Sequence, residues 1–142
     1  MTMIYLLHMT NDSLEPKKKI LIVDDDADFM DMLKECLNMR GYDVLTLSDA
    51  KHIMHTLHSF SPDLILLDLI MPGIDGLEVC EMLNGDPTWA NIPIIVMSGL
   101  NKDVDKLKAF KEGIEDYFVK PIKIEVLLSS IEKFLRAKSE KD

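Results

Sequence analysis

Asp24, Asp25 and Asp26 stand together directly after the apolar run Ile20-Leu21-Ile22-Val23, and Asp68 directly follows Leu64-Ile65-Leu66-Leu67. Ser98 closes the run that begins at Ile92, and Lys120 follows Asp116-Tyr117-Phe118-Val119. Apolar runs thus end in carboxylates, a hydroxyl and an ammonium. Crowded carboxylates raise each other's pKa unless a cation sits among them. Mg²⁺ suits an oxygen site that stays open to phosphate. With a metal present, one carboxylate can attack a phosphoryl donor and become an acyl phosphate. The metal and a positioned lysine then offset charge on the transferred group. A nearby hydroxyl can hydrogen-bond a phosphoryl oxygen. Singly, each feature has a plainer role: Asp at a strand end often caps the next helix, and Lys-Pro is common punctuation. Their coincidence at four strand ends points to chemistry.

The elements that must position these groups follow from periodicity. Ile20–Val23, Tyr42–Leu47, Leu64–Leu67, Ile92–Met97 and Asp116–Val119 read as strands, and Pro93 is tolerated near the start of its strand. Between them lie helical patterns. Phe29, Leu33, Cys36 and Leu37 form the first, started by Asp26 or Asp28 and stopped by Gly41. Ile53, Met54 and Leu57 form the second, capped by Ser48 or Asp49 and ended by Ser61-Pro62. After the turn Met71-Pro72-Gly73, Leu77, Cys80 and Leu83 mark the third, broken by Asp86-Pro87. Val104, Leu107 and Phe110 line the fourth, which stops at Gly113; Ile124, Leu127, Leu128, Ile131 and Leu135 line the last. Strands apolar throughout, each followed by a helix, imply an α/β fold: a parallel sheet covered on both faces. In such a sheet ligands gather at the carboxyl ends of the strands. The expected organisation is a disordered leader over 1–17, one domain over 18–137, and a charged, frayed tail over 138–142.

The 142 residues carry a formal net charge of -9, with 47% apolar and 29% charged residues. That suits one globular domain and argues against direct nucleic-acid binding by this chain. Lys17–Lys19 is too short for a nucleic-acid arm. No apolar run reaches the roughly 18 residues of a membrane span. Met3–Leu7 is apolar but has no basic flank or A-x-A-like site, so Met1–Met9 makes a poor signal peptide; Met9 is an alternative start. Cys36 and Cys80 fall at apolar positions of helices and read as buried thiols, which fits a reducing cytosol. His52, His55 and His58 recur on the side of the second helix opposite its apolar stripe, and a solvated face explains them better than a metal patch. The ten methionines read as packing. Trp89, in a loop, has no evident role.

Ile20–Asp26, Leu66–Gly76, Ile94–Gly99 and Tyr117–Pro121 together resemble the receiver domains of two-component response regulators. The four motifs occur in order and at matching spacing, and the resemblance runs from about Lys18 to the last helix. It implies a flavodoxin-like, five-stranded parallel sheet of order 2-1-3-4-5 with helices on both faces. It implies a regulatory module rather than a metabolic enzyme, with weak self-catalysed phosphotransfer and dephosphorylation. Asp68 would be the phosphoacceptor. Asp24, Asp25, Asp68 and the backbone carbonyl of Ile70 would hold Mg²⁺. Ser98 and Lys120 would contact the phosphoryl group, and Tyr117 would follow Ser98 inward as a rotor. Pro121 would follow a cis peptide bond. The phosphoryl source would be a sensor histidine kinase or a histidine phosphotransfer protein. The face formed by helix 4, strand 5 and helix 5 would meet a downstream partner or a second copy.

Ile70 and Leu100 stand two residues after Asp68 and Ser98. In the resembled family these positions flank the water that hydrolyses the acyl phosphate, and neither apolar side chain can orient it. Slow self-dephosphorylation is the expectation. Asp26 is best read as a helix cap. Two rivals remain. A haloacid-dehalogenase-like phosphatase would use Asp24 and Asp26 as its Asp-x-Asp, but the acid pair such enzymes place after a late strand is missing here. A phosphorylation-independent binding module would keep the fold and lose the chemistry. After Ala137 there is no room for an effector, so the chain is either a stand-alone receiver or part of a longer protein.

Overall fold

The computed structural model of the chain describes residues 16–141, with side chains described through Ala137. The leader expected over 1–17 lies, up to residue 15, outside the described residues. Among the described residues, seven strands and five helices follow in order: β1 Lys19–Val23, α1 Ala27–Met39, β2 Asp43–Leu47, α2 Ile53–Phe60, β3 Leu64–Leu67, β4 Ile70–Met71, β5 Ile74–Asp75, α3 Gly76–Asn84, β6 Ile94–Ser98, α4 Asp103–Lys111, β7 Asp116–Val119 and α5 Ile124–Lys141. The main sheet is parallel and ordered β2-β1-β3-β6-β7, which is the expected 2-1-3-4-5 once the small β4-β5 hairpin is set aside. Sequence reading saw only a turn where that antiparallel hairpin forms, with Gly73 at φ 82°. Glycine takes this left-handed conformation without steric cost. Helix α5 continues to Lys141, through most of the segment expected as a tail.

The continuous apolar strands are explained by the two cores. On one face Ile20, Ile22, Leu64, Leu66, Ile95 and Met97 pack with Leu33 and Leu37 of α1 and Leu127 and Ile131 of α5. On the other face Leu21, Val23, Ile65, Leu67, Ile94 and Val96 pack with Leu57, Cys80, Leu83 and Trp89. The three central strands, β1, β3 and β6, therefore need apolar residues at both parities. Fully burying one Leu or Ile contributes about 1.5–3 kcal/mol. Trp89, without a role in the sequence, is a core residue capped edge-on by His58 at 5.0 Å. His52, His55 and His58 are all exposed, as the solvated-face reading requires.

Three expectations need correction. Helix α2 starts at Ile53, with no side-chain cap, later than the Ser48 or Asp49 start expected. Asp49 instead closes a short turn by accepting the Lys51 N–H at 2.8 Å, which leaves 48–52 as a loop. Val104, Leu107 and Phe110 do not face the core: they are 51%, 56% and 46% exposed, and of α4 only Ala109 is buried. A recurrence every three residues defines a helix face but not whether it points in or out. Cys36 is only half-buried, its Sγ lying 3.9 Å from Met32 Sδ, whereas Cys80 is fully buried. Among the described residues no helix is long and apolar enough to cross a membrane.

Candidate functional site

Parallel register brings the chemical groups together. Val23 lies opposite Leu67, Leu67 opposite Val96, and Ser98 opposite Val119. The ladders run one residue further. Asp24 N–H donates to the Leu47 carbonyl at 3.1 Å, Asp68 N–H to that of Val23 at 2.9 Å, and Lys120 N–H to that of Ser98 at 2.8 Å. Asp24 and Asp68 therefore leave neighbouring strands side by side. Lys120 leaves the edge strand β7, separated from β3 by β6. Strands stand about 4.8 Å apart, so only a long side chain can reach both acids.

It does reach them. Lys120 Nζ lies 2.7 Å from Asp24 Oδ2 and 3.2 Å from Asp68 Oδ2. The other oxygen of each acid is held by backbone: Asp26 N–H donates to Asp24 Oδ1 and Ile70 N–H to Asp68 Oδ1, both at 3.0 Å. Asp24 and Asp68 are buried, Asp25 is exposed, and carboxylate oxygens of all three lie within 4.8 Å of one another. Three carboxylates against one ammonium leave negative charge unbalanced in a poorly hydrated place. An all-oxygen donor set of this kind fits a hard divalent cation.

Burial pushes the Asp68 carboxyl above the usual carboxylate range; the Ile70 N–H and Lys120 oppose this, and Asp24 adds to it. For Lys120, burial works to lower the pKa, but its bonds and attraction to Asp24 and Asp68 outweigh that and raise it. The ring of Phe29, from α1, lies 5.1 Å below the Lys120 ammonium. Sequence reading missed this contact because the period of α1 marks Phe29 as core and says nothing of a cation above it.

Ser98 and Tyr117 form an adjoining group. Ser98 is fully buried and its Oγ accepts the Leu100 N–H at 3.1 Å. Tyr117, half-buried, donates its O–H to the Leu100 carbonyl at 2.7 Å. Its phenol pKa is raised, first by burial, against the lowering effect of a Ser98 hydrogen bond. Residue 100 thus adds a link through its backbone groups between the hydroxyl and the ring. The Lys120-Pro121 peptide is cis. Ile70, whose carbonyl was expected as a ligand, contributes its N–H to Asp68 and leaves its side chain 52% exposed. Asp26 caps α1 by accepting the Phe29 N–H at 3.0 Å. The acids that converge with Asp24 are Asp25 and Asp68, not Asp26, which counts against the phosphatase-like Asp24-x-Asp26 alternative.

A family model described as the response regulator receiver domain matches residues 20–132. Among curated proteins, the chain is 37% identical over 118 residues to the DNA-binding dual master transcriptional regulator RpaA of Synechocystis sp., covering 83% of this chain and 49% of that protein. It is 33% identical over 120 residues to the DNA-binding response regulator MtrA of Mycolicibacterium paratuberculosis, covering 84% and 52%. The chain spans about half the length of these relatives. Among solved structures, a two-component response regulator from Clostridium difficile matches with TM-score 0.79 and 30% identity, covering 84% of this chain and 97% of that one. A CheY-like receiver domain protein from Methanospirillum hungatei matches with TM-score 0.83 and 25% identity, covering 89% and 100%.

Proposed function

We propose, on the premise that this chain belongs to the response regulator receiver domain family, that Asp68 is its phosphoacceptor and Lys120 the cation that meets the incoming phosphoryl group. The observation that carries this reading is the Lys120 ammonium shared between Asp68 and Asp24 at the carboxyl edge of the sheet. A carboxylate oxygen of Asp68 attacks phosphorus, a P–O bond forms, and the bond to the donor nitrogen breaks. The leaving imidazole belongs to a histidine kinase or histidine phosphotransfer protein. Lys120 then turns from the Asp68 carboxylate to the phosphoryl oxygens, whose charge is greater. Asp24, Asp25, Asp68 and the Ile70 carbonyl would hold Mg²⁺, which supplies further neutralisation of that charge when bound.

Ser98 would follow the phosphoryl group, and the Leu100 backbone, hydrogen-bonded to both Ser98 and Tyr117, would pass its movement to the ring. The readout would be the face of α4, β7 and α5. The exposed Val104, Leu107 and Phe110 of α4 and Val126 of α5 support this, because an apolar stripe of this kind gains from being covered by a partner or a second copy. The acidity of this domain argues against nucleic acid as its own ligand. That argument does not extend to a longer protein, since RpaA and MtrA are named as DNA-binding and are about twice as long as the matched segment.

The test is intact mass after incubation with Mg²⁺ and acetyl phosphate. One phosphoryl group is expected on the native chain, and none on Asp68→Asn or without the metal. Its lifetime should be long, because neither Ile70 nor Leu100 presents a side-chain polar group to water. Ile70→Asn should shorten it. Label on Asp68→Asn but not on Asp24→Asn would transfer the acceptor role to Asp24. No label under any condition would make the domain a phosphorylation-independent binding module.

A further inference from the structure

The late start of α2 has a consequence beside the acidic cluster. The loop over 48–52 stands away from Pro72 and Gly73, and between them lies a depression of about 550 Å³ with Asp25, Asp49 and Ile74 in its walls. A second depression of about 310 Å³ continues it along the seam of α2 and α3, lined by Ile53, Met54, Val79 and Met82 among others. Lys51 and Ile74 belong to both, so the two form one groove. Its lining is largely aliphatic and thioether and runs through two continuous depressions, which suits a peptide segment better than a compact metabolite. Its rim is acidic: Asp25 and Asp49 stand at the mouth and Glu78 along the side, with Lys51 as the basic lining residue. Asp49, Glu78 and Lys51 are exposed and take no part in the phosphoacceptor site.

We propose that this groove docks a segment of a partner protein in which a basic side chain leads a pair of large aliphatic ones. The basic group sits between Asp25 and Asp49, and the aliphatic pair covers Met54, Ile74 and Met82. Charge complementarity selects this occupant. An acidic segment would meet three carboxylates, and a wholly apolar one would offer their charge no counterpart. The flexible thioethers of Met54 and Met82 allow the floor to mould around aliphatic side chains. The seat adjoins Asp68, yet the proposal concerns binding alone and does not depend on phosphotransfer.

The test uses the whole chain with ¹³C-methyl methionine, free of Mg²⁺ and phosphodonor. Three capped peptides serve as probes: acetyl-Lys-Ala-Leu-Leu-amide, acetyl-Glu-Ala-Leu-Leu-amide and acetyl-Lys-Ala-Ser-Ser-amide. The first should shift the Met54 and Met82 methyls saturably and leave Met39, on α1, unmoved; the other two should shift none of the three. Asp49→Asn with Glu78→Gln should weaken the affinity by about threefold, and Lys51→Gln should strengthen it by a similar factor. These exposed sites report on charge without risk to the fold. Equal shifts with all three peptides, or none with the first, would overturn the proposal. So would shifts that grow with protein concentration alone, which would assign the groove to a second copy.

Discussion

Gly76→Ala should unfold more easily and label more slowly, although a simple helix argument says the reverse. Gly76 opens α3, where alanine is favoured over glycine by up to about 1 kcal/mol. A Cβ at that position, however, would stand 2.4 Å from Leu69 Cα, 2.9 Å from the Leu69 carbonyl oxygen and 3.0 Å from that of Asp68. Carbon atoms settle at about 3.5–4.0 Å, so Leu69 would have to retreat by more than about 1 Å. These are backbone atoms and cannot rotate aside as a side-chain tip could. Leu69 is buried, and its carbonyl accepts the Gly76 N–H at 3.1 Å. Overpacking typically costs about 1–3 kcal/mol, and an obstruction by backbone belongs at the upper end. Sterics therefore wins, with a net loss of about 1–2 kcal/mol. Leu69 lies between Asp68 and Ile70, so the same displacement moves Asp68, the proposed acceptor. A misplacement of about 1 Å can cost on the order of a hundredfold in rate, and at least about a tenfold fall is expected here. Urea unfolding gives the stability, and mass-resolved labelling by acetyl phosphate gives the rate. Gly99→Ala is the control: a Cβ there meets nothing within 4 Å, and its stability should stay within about 0.5 kcal/mol of the native chain. A Gly76→Ala protein at least as stable as the native one, labelling at the native rate, would refute the reasoning.

Lys120→Met should cost about 1–3 kcal/mol without divalent cations, because Asp24, fully buried, loses its 2.7 Å partner. Mg²⁺ should shrink that penalty in urea titrations, whereas an equal penalty with and without Mg²⁺ would show that the cluster does not take the ion. Asp68→Asn addresses pH. Burial raises the Asp68 pKa, so the folded chain holds that proton more tightly than the unfolded chain. Stability contributed by the protonated form is then lost as pH rises from the ordinary carboxylate value through the raised one. The metal-free Tm of Asp68→Asn minus that of the native chain should grow across this window and level off above it; a flat difference would contradict the assignment. For the thiols, burial first, then Glu112 and Asp75, push Cys80 up to about 12. Since the thiolate is the reactive form, native protein should take up one maleimide, at Cys36, and a second only after denaturation.

What was legible in the sequence and what was not divides along one physical line. Asp24, Asp68, Ser98 and Lys120 could be placed at one edge because a parallel sheet aligns the ends of its strands, and the central strands β1, β3 and β6 announce themselves by being apolar at both parities. Asp26 could be read as a cap because capping is local to four residues. Groups whose role depends on what stands opposite them were beyond reach. Val104, Leu107 and Phe110 have the spacing of a buried stripe and an exposed position. Cys36 sits on an apolar period and is still half open. Asp49 had the residue type of a helix cap and closed a turn instead.

Lys120 shows why register matters more than residue type in this site. A lysine after a strand is unremarkable in sequence, and its pKa is raised here only because two acids from other strands converge on it. Those acids in turn have their second oxygens fixed by the N–H groups of residues two positions later, Asp26 and Ile70. Each carboxylate is thus oriented by its own loop and charged against its neighbour through the ammonium. On the proposed reading, a phosphoryl group arriving at Asp68 would compete for Lys120 and alter the electrostatic balance of Asp24 in the same step. The shared ammonium would then carry local chemistry at one strand end to β1, β3 and β7 together, as a switch built on one sheet requires.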